Sequence, residues 1–299
     1  MAAKRLRFCY LMVAPALLLV LVMGIYPMID TFRISLLQYD LLRIPTEGTP
    51  FVGFENYLTI LQNPRFLRTL MNTIVFVVIV VSSMLAVGVF IAQVLNIEFR
   101  GRVLLRSIVL TPWFIPPVVA SGIWLWMFEP QRSPINQGLR FLGLTDSNIR
   151  FLTDSTTFAD VLSIPMLSVA LVRAWGGMPF VILMVLAAMQ SIPKDIYEAA
   201  EIDGASVIQR FTYITLPMLR PVLAILVTLL FIGGIGAFEV NYVLTRGGPQ
   251  DLTNVLAVLA YQEAFTFFRF DLAAAISNII LLITGPIAFL YIRAQVRER

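Results

Sequence analysis

Histidine is absent from these 299 residues, and cysteine occurs once, at Cys9. The missing histidine removes the commonest general base and the commonest metal ligand. A single cysteine excludes an internal disulfide framework and a cysteine-based metal site, so neither a metal centre nor a catalytic residue is expected. Charge is scarce as well. Lys, Arg, Asp and Glu make up 13% of the sequence, against about 25% in ordinary soluble domains. The net charge of +4 comes from residues spread over loop ends. No dense basic patch is present to track phosphates, which argues against a nucleic-acid partner. There is no Gly-x4-Gly-Lys-Ser/Thr phosphate loop, so any ATP chemistry belongs to another chain.

What fills the sequence instead is apolar. Hydrophobic residues are 59% of the chain, where soluble domains carry about 45–50%. One soluble core cannot hide that much apolar surface, so the fold class expected is an all-α polytopic membrane protein. Lys4, Arg5 and Arg7 resemble the positive start of a signal peptide. The apolar run that follows is about 20 residues, longer than the roughly 7–15 of a signal core, and it ends in "YPMIDTF" without a small-x-small site. An uncleaved first membrane helix is expected, with Cys9 as a small residue within it.

A helix needs about 20 apolar residues to cross a bilayer. Six stretches qualify: 8–29, 70–95, 103–128, 161–189, 222–244 and 272–292. They are taken as one transmembrane domain spanning 1–299. The third contains Pro112, Pro116 and Pro117 in "LTPWFIPPVVASG", so a kinked or partly unwound helix is expected there. Six spans leave both termini on one side. That side receives twelve Lys and Arg in roughly 57 residues, the other nine in roughly 98, and the denser side faces the cytoplasm by the positive-inside rule. Both termini and the segment 190–221 are thus expected in the cytoplasm.

That segment, "QSIPKDIYEAAEIDGASVIQRFTYITLPMLRP", is a polar island in a lipid-soluble chain. Ser191 and Pro193 suit a helix start, and Asp195 and Glu198 suit the positive end of its dipole. Gly204 permits a left-handed stop. Asp203 is expected to cap a second short helix over 205–213, ended by Leu216-Pro217, with Pro221 starting the fifth span. The acids Asp195, Glu198, Glu201 and Asp203 stand against one Lys194. Interfacial lipid-binding helices carry a basic polar face, so a protein partner is favoured, with an amphipathic linker resting on the bilayer as the alternative.

Glu198-Ala199-Ala200, three residues, Gly204, nine residues and Ile214-x-Leu216-Pro217 resemble the EAA motif of binding-protein-dependent ABC importer permeases. "YPMIDTFRISL", "FVGFENY", "LMNTIVFV", "LTPWFIPPVVASGIWLWMFEP" and "LTRGGPQDLTNVLAVLAYQEAF" extend the likeness over nearly the whole chain. They are similar to the permease type of maltose and glycerol-3-phosphate importers, the carbohydrate branch. The extra N-terminal spans and large external domain of the maltose form are missing, so the likeness is to the six-span form. The resemblance implies a type I ABC importer transmembrane domain in the cytoplasmic membrane. It also implies a second similar permease, two cytoplasmic ATPases and an extracytoplasmic solute-binding protein. Carried over by position, Glu198, Ala199, Ala200, Asp203 and Gly204 dock in an ATPase groove, and Ile214, Leu216 and Pro217 set the return into the fifth span. No cofactor is implied on this chain, the ATP-Mg being held by the ATPase. The competing reading is a channel or secondary carrier working alone, which predicts internal repeats and mid-bilayer charged pairs; neither is evident.

Candidate pathway residues come from polarity where lipid is expected. Arg173 and Glu239 fall inside spans, where ionisable groups are costly. Counted along unbroken helices at about 1.5 Å per residue, they reach similar depth, so they either pair, face a solute cavity, or snorkel to water. Trp124, Trp126, Trp175, Asn241, Tyr242 and Asn278 offer aromatic faces and amides for a sugar. An interfacial aromatic belt is the alternative for the Trp and Tyr, and helix packing the alternative for the amides. Ser82, Ser83, Gly88 and Gln93 read as helix packing.

Overall fold

The computed structural model describes residues 2–158 and 162–297. The side chain of Cys9, Val161 at the expected start of the fourth span, and Arg299 lie outside them. Among the described residues, five helices are long and apolar enough to cross a membrane, and a bent pair makes a sixth. These are α1 (Tyr10–Ser35), α3 (Pro64–Asn96), the pair α4 (Arg102–Leu110) and α5 (Pro117–Met127), α6 (Ile164–Gln190), α8 (Val207–Ile235) and α11 (Phe270–Arg297). Shorter helices include α2 (Glu55–Gln62), α7 (Lys194–Ile202), α9 (Glu239–Thr245) and α10 (Leu256–Tyr261). One antiparallel pair, Thr157–Phe158 with Leu162–Ser163, leads into α6, whose N-terminus Ser163 caps by accepting from the Met166 N–H at 3.2 Å.

The chain divides into two compact units rather than one, residues 1–67 with 259–282 and residues 68–258 with 283–299. The first unit is held by polar contacts. Asn56 donates to the carbonyls of Ser35 and Leu37 at 2.9 and 2.8 Å. The Ser35 and Tyr57 hydroxyls meet at 2.7 Å, and the Asn278 amide donates to both, at 3.1 and 3.0 Å. Asp271 accepts from the Tyr39 N–H at 3.0 Å. Buried Glu263 sits 2.5 Å from Arg269 and 3.9 Å from Arg65. Desolvation outweighs the Arg269 and Arg65 charges there and holds the carboxyl above its usual 4.5.

The second unit packs as membrane helices pack, by close approach at small residues. A Cβ added at Gly88 would stand 2.8 Å from Val181, and one at Gly234 would stand 3.0 Å from Val77. These glycines let α3 approach α6 and α8 directly. Ser82 and Ser83 return their hydroxyls to the carbonyls of Val78 and Val80. The loop after α9 is tied down by α3: Asn72 donates to the carbonyls of Asp251 and Asn254, and the Thr73 hydroxyl accepts from the Leu256 N–H.

Proline bends the third span, as expected, and accompanies departures in the first and the fifth. The third span bends by 103°. A 3-10 turn over Thr111–Phe114 ends at Ile115, which is extended because a proline follows; Pro116 is extended for the same reason before Pro117 begins α5. The first span continues past Ile29 to Ser35 through a π turn at Leu21–Ile25, two residues ahead of Pro27. The fifth span is displaced. Its helix is already running at Val207, with a π turn over Phe211–Thr215 just ahead of Pro217, and stops at Ile235. In both π turns the wider register accommodates a backbone that lacks one N–H donor. Gly236 then breaks the helix, and Glu239–Thr245 is a separate element packed on α5 and α6. An unbroken helix over 222–244, and the depth assigned to Glu239 along it, are therefore corrected.

Candidate coupling hairpin and cavity

The polar segment folds as a helical hairpin. Helix α7 ends in a Schellman motif: the Ala205 N–H reaches the Ala200 carbonyl at 2.9 Å, and the Gly204 N–H reaches that of Glu201 at 3.0 Å. Gly204 makes this closure at φ +78°, in the left-handed region. The spacing from Ala200 to Gly204 is thus the spacing of a helix stop. The cap of the following helix is Ser206, not Asp203. Its hydroxyl accepts from the Gln209 N–H at 3.3 Å, and the Gln209 side chain accepts from the Ser206 N–H at 2.8 Å. Nor does Leu216-Pro217 end that helix, since it runs on into the fifth span.

Two contacts brace the hairpin. Arg210 pairs with Glu201 at 2.8 Å, and the hydroxyls of Tyr197 and Thr215 share a hydrogen bond of 2.8 Å. Its outward surface is bare. Glu198, Ala199, Asp203 and Gly204 are exposed and Ala200 is half-buried. Ile202 is 87% exposed, with Val207 and Ile208 similarly open. Ile214 and Pro217 are half-buried at the return into α8, and Leu216 is exposed.

The second feature is a cavity of about 300 Å³ within the second unit, lined by Pro112, Trp113 and Ile115 of the bend, by Arg173, Gly176 and Gly177 of α6, and by Val240 of α9 among others. Trp113 meets Phe180 at 6.1 Å. Trp124 and Trp175 come together edge to face at 5.6 Å, and Trp124 also contacts Phe128 at 5.1 Å. Tyr242 stacks on Phe238 at 5.1 Å. Asn241 is 0% exposed, and among the described residues neither polar atom of its side chain has a partner. Arg173 and Glu239 do not pair: Arg173 is half-buried on the cavity wall, and Glu239 is exposed at the start of α9.

Residues 84–298 match the family described as the binding-protein-dependent transport system inner membrane component. The chain belongs to this family. The permease is 36% identical to the trehalose/maltose transport system permease protein MalF of Thermococcus litoralis, over 95% of this chain and 92% of the relative. It is 32% identical to the sulfoquinovosyl glycerol transport system permease protein SmoG of Agrobacterium fabrum, over 95% of this chain and 88% of that one. Its fold matches that of a bacterial ABC transporter involved in the import of the acidic polysaccharide alginate, with a TM-score of 0.81 at 24% identity, covering 98% of the permease and 96% of that chain.

Of the pathway candidates in the permease, the second unit gathers Trp124, Arg173, Trp175, Glu239, Asn241 and Tyr242 on α5, α6 and α9, elements that pack on one another. Asn278 belongs to the first unit and is engaged by Ser35 and Tyr57. Sequence reasoning passed over Trp113, although it stands between Pro112 and the Pro116-Pro117 pair, where the kink was expected. It also passed over Ser206 and Gln209, whose Ser-x-x-Gln spacing is a capping-box signal. The Tyr197–Thr215 bond had no signal, because it joins residues across a turn.

Proposed function

We propose that this chain is the permease subunit of an ATP-driven carbohydrate importer, moving solute by alternating access from a binding protein across the cytoplasmic membrane. The observation that carries the reading is the hairpin 194–210, whose motif residues form a braced turn and leave their acids, alanines and Ile202 uncovered. A soluble surface of that kind in an otherwise apolar chain is suited to a protein groove. The relatives whose names specify trehalose/maltose and sulfoquinovosyl glycerol support a carbohydrate as the cargo. In this reading both termini lie in the cytoplasm, as the Lys and Arg distribution favours. A second permease completes the pathway, and two ATPases, holding ATP and magnesium, grip the hairpins. Closure of the ATPases moves α7, and the Tyr197–Thr215 bond and the continuous helix from Val207 pass that motion into the fifth span. The unpartnered Asn241 and the aromatic pair Trp124 and Trp175 are assigned to the solute path, with Arg173.

The test is partner dependence. Purified under mild conditions, the chain should bring down an ATPase and a second permease. Gly204→Arg should abolish ATPase retention and sugar uptake while the protein stays in the membrane. Uptake by this chain alone, or normal uptake after Gly204→Arg, would sink the proposal.

A further inference from the structure

Arg173 is the charged side chain in the cavity wall. Among the described residues it makes no ion pair and no side-chain hydrogen bond. The residues around it at the cavity, including Trp113, Ile115, Gly176, Gly177 and Val240, supply no acid. Glu239, at the start of α9, is exposed and does not pair with it. A cation held among apolar walls at membrane depth is costly and persists where something compensates it.

The wall around the guanidinium is shaped for access. A Cβ on Gly176 would meet nothing within 4 Å, so that residue borders open space. A Cβ on Gly177 would stand 3.7 Å from Nη1 of Arg173 and 2.5 Å from Cε of Met84. Glycine at 177 therefore makes room for Met84, with the guanidinium at ordinary contact distance beside it. Trp113, 52% exposed, presents an aromatic face to the same cavity. An aromatic face and a guanidinium in one cavity match a molecule with an apolar sugar face and an anionic group. Guanidinium binds carboxylate, sulfonate and phosphate through paired N–H donors.

We propose that the solute is an anionic carbohydrate and that Arg173 selects for its charged group. This rests on the carbohydrate-importer reading and narrows it. The probes are cellobiose and cellobiouronic acid, which differ by one C6 carboxylate. Binding is measured by saturation-transfer NMR on the intact permease–ATPase complex in nanodiscs, without the binding protein, so that the membrane site alone is read. The acid should bind at least tenfold more tightly than the neutral sugar. Arg173→Gln should abolish the preference, so that the acid and the neutral sugar bind this variant equally, and Arg173→Lys should keep part of the preference. Retention of the ATPase by each variant confirms assembly. Equal binding of both sugars to the wild type overturns the proposal, as does an acid preference that survives Arg173→Gln. Loss of assembly in Arg173→Gln but not in Arg173→Lys also counts against it, because the arginine would then be serving a carboxylate of the second permease. Uptake of a panel of neutral and anionic sugars by the complete importer is scored separately. If that succeeds while the acid preference is absent, carbohydrate import stands and the anion inference falls; if no carbohydrate is taken up, both fall.

Discussion

Two polar regions interrupt this apolar chain, and they are built on opposite plans. In the first unit, Ser35, Asn56, Tyr57 and Asn278 spend their hydrogen bonds on one another and on nearby carbonyls. In the hairpin 194–210, the backbone closes its own turn while Glu198, Asp203 and Ile202 face outward with nothing covering them. A satisfied polar cluster is a structural tie, since each member would be costly to leave unpaired. An exposed one, on a braced scaffold, is the surface that the proposed docking would use. Residue type does not separate the two cases; where the hydrogen bonds go does.

The contrast can be broken most severely at Asn56. Asn56→Leu strands the carbonyls of Ser35 and Leu37, and each unpaired buried group costs about 1–3 kcal/mol. The purified protein should melt several degrees lower by tryptophan fluorimetry, and uptake should fall only in step with folded protein. Next comes Gly204→Val, which places a β-branched residue at φ +78° and costs about 1–3 kcal/mol locally. Here the global melting temperature should hold while ATPase retention and uptake are lost. A variant that unfolds the whole chain would mean the hairpin is as much a part of the core as the Asn56 cluster.

A smaller effect tests the first unit by pH. Burial lifts Glu263 above 4.5, so the stabilisation from its bound proton is complete below that pH and is lost as pH rises through the raised value. Glu263→Gln stays neutral throughout. The melting temperature of the wild type should therefore decline relative to that of the variant across this window; parallel pH curves would refute the assignment. Smallest of all, Glu201→Gln removes an ion pair whose acid is 70% exposed. It should change stability by less than about 1 kcal/mol, visible as faster amide exchange in 207–210 with the Asn56 cluster unaffected.

Much of this was legible in advance. Apolar run lengths gave six spans, the prolines of "LTPWFIPP" announced the bend, and Gly204 announced the turn. Two errors concerned helix boundaries. Leu216-Pro217 looked like a helix end, yet a π turn at Phe211–Thr215 carries the helix through it. Residues 222–244 looked like one span, yet Gly236 ends the helix and α9 begins afresh at Glu239. Hydropathy averages over a window and cannot register a break of three apolar residues. Asn278 looked like a sugar contact because an amide in hydrocarbon demands a partner; its partners, Ser35 and Tyr57, lie more than 200 residues away.

The sequence by itself determined that this chain lives in a membrane and presents one motif-bearing polar segment. Those properties follow from composition and from local spacing, which act over a turn or two of helix. Only the tertiary structure decided which polar residues are spoken for. It paired Asn278 and left Asn241 unpaired, separated Arg173 from Glu239, and set Arg173 beside Trp113 and two glycines in one cavity. Partnership of that kind is a property of distance in space, and helices that meet across hundreds of residues leave no periodic trace of it.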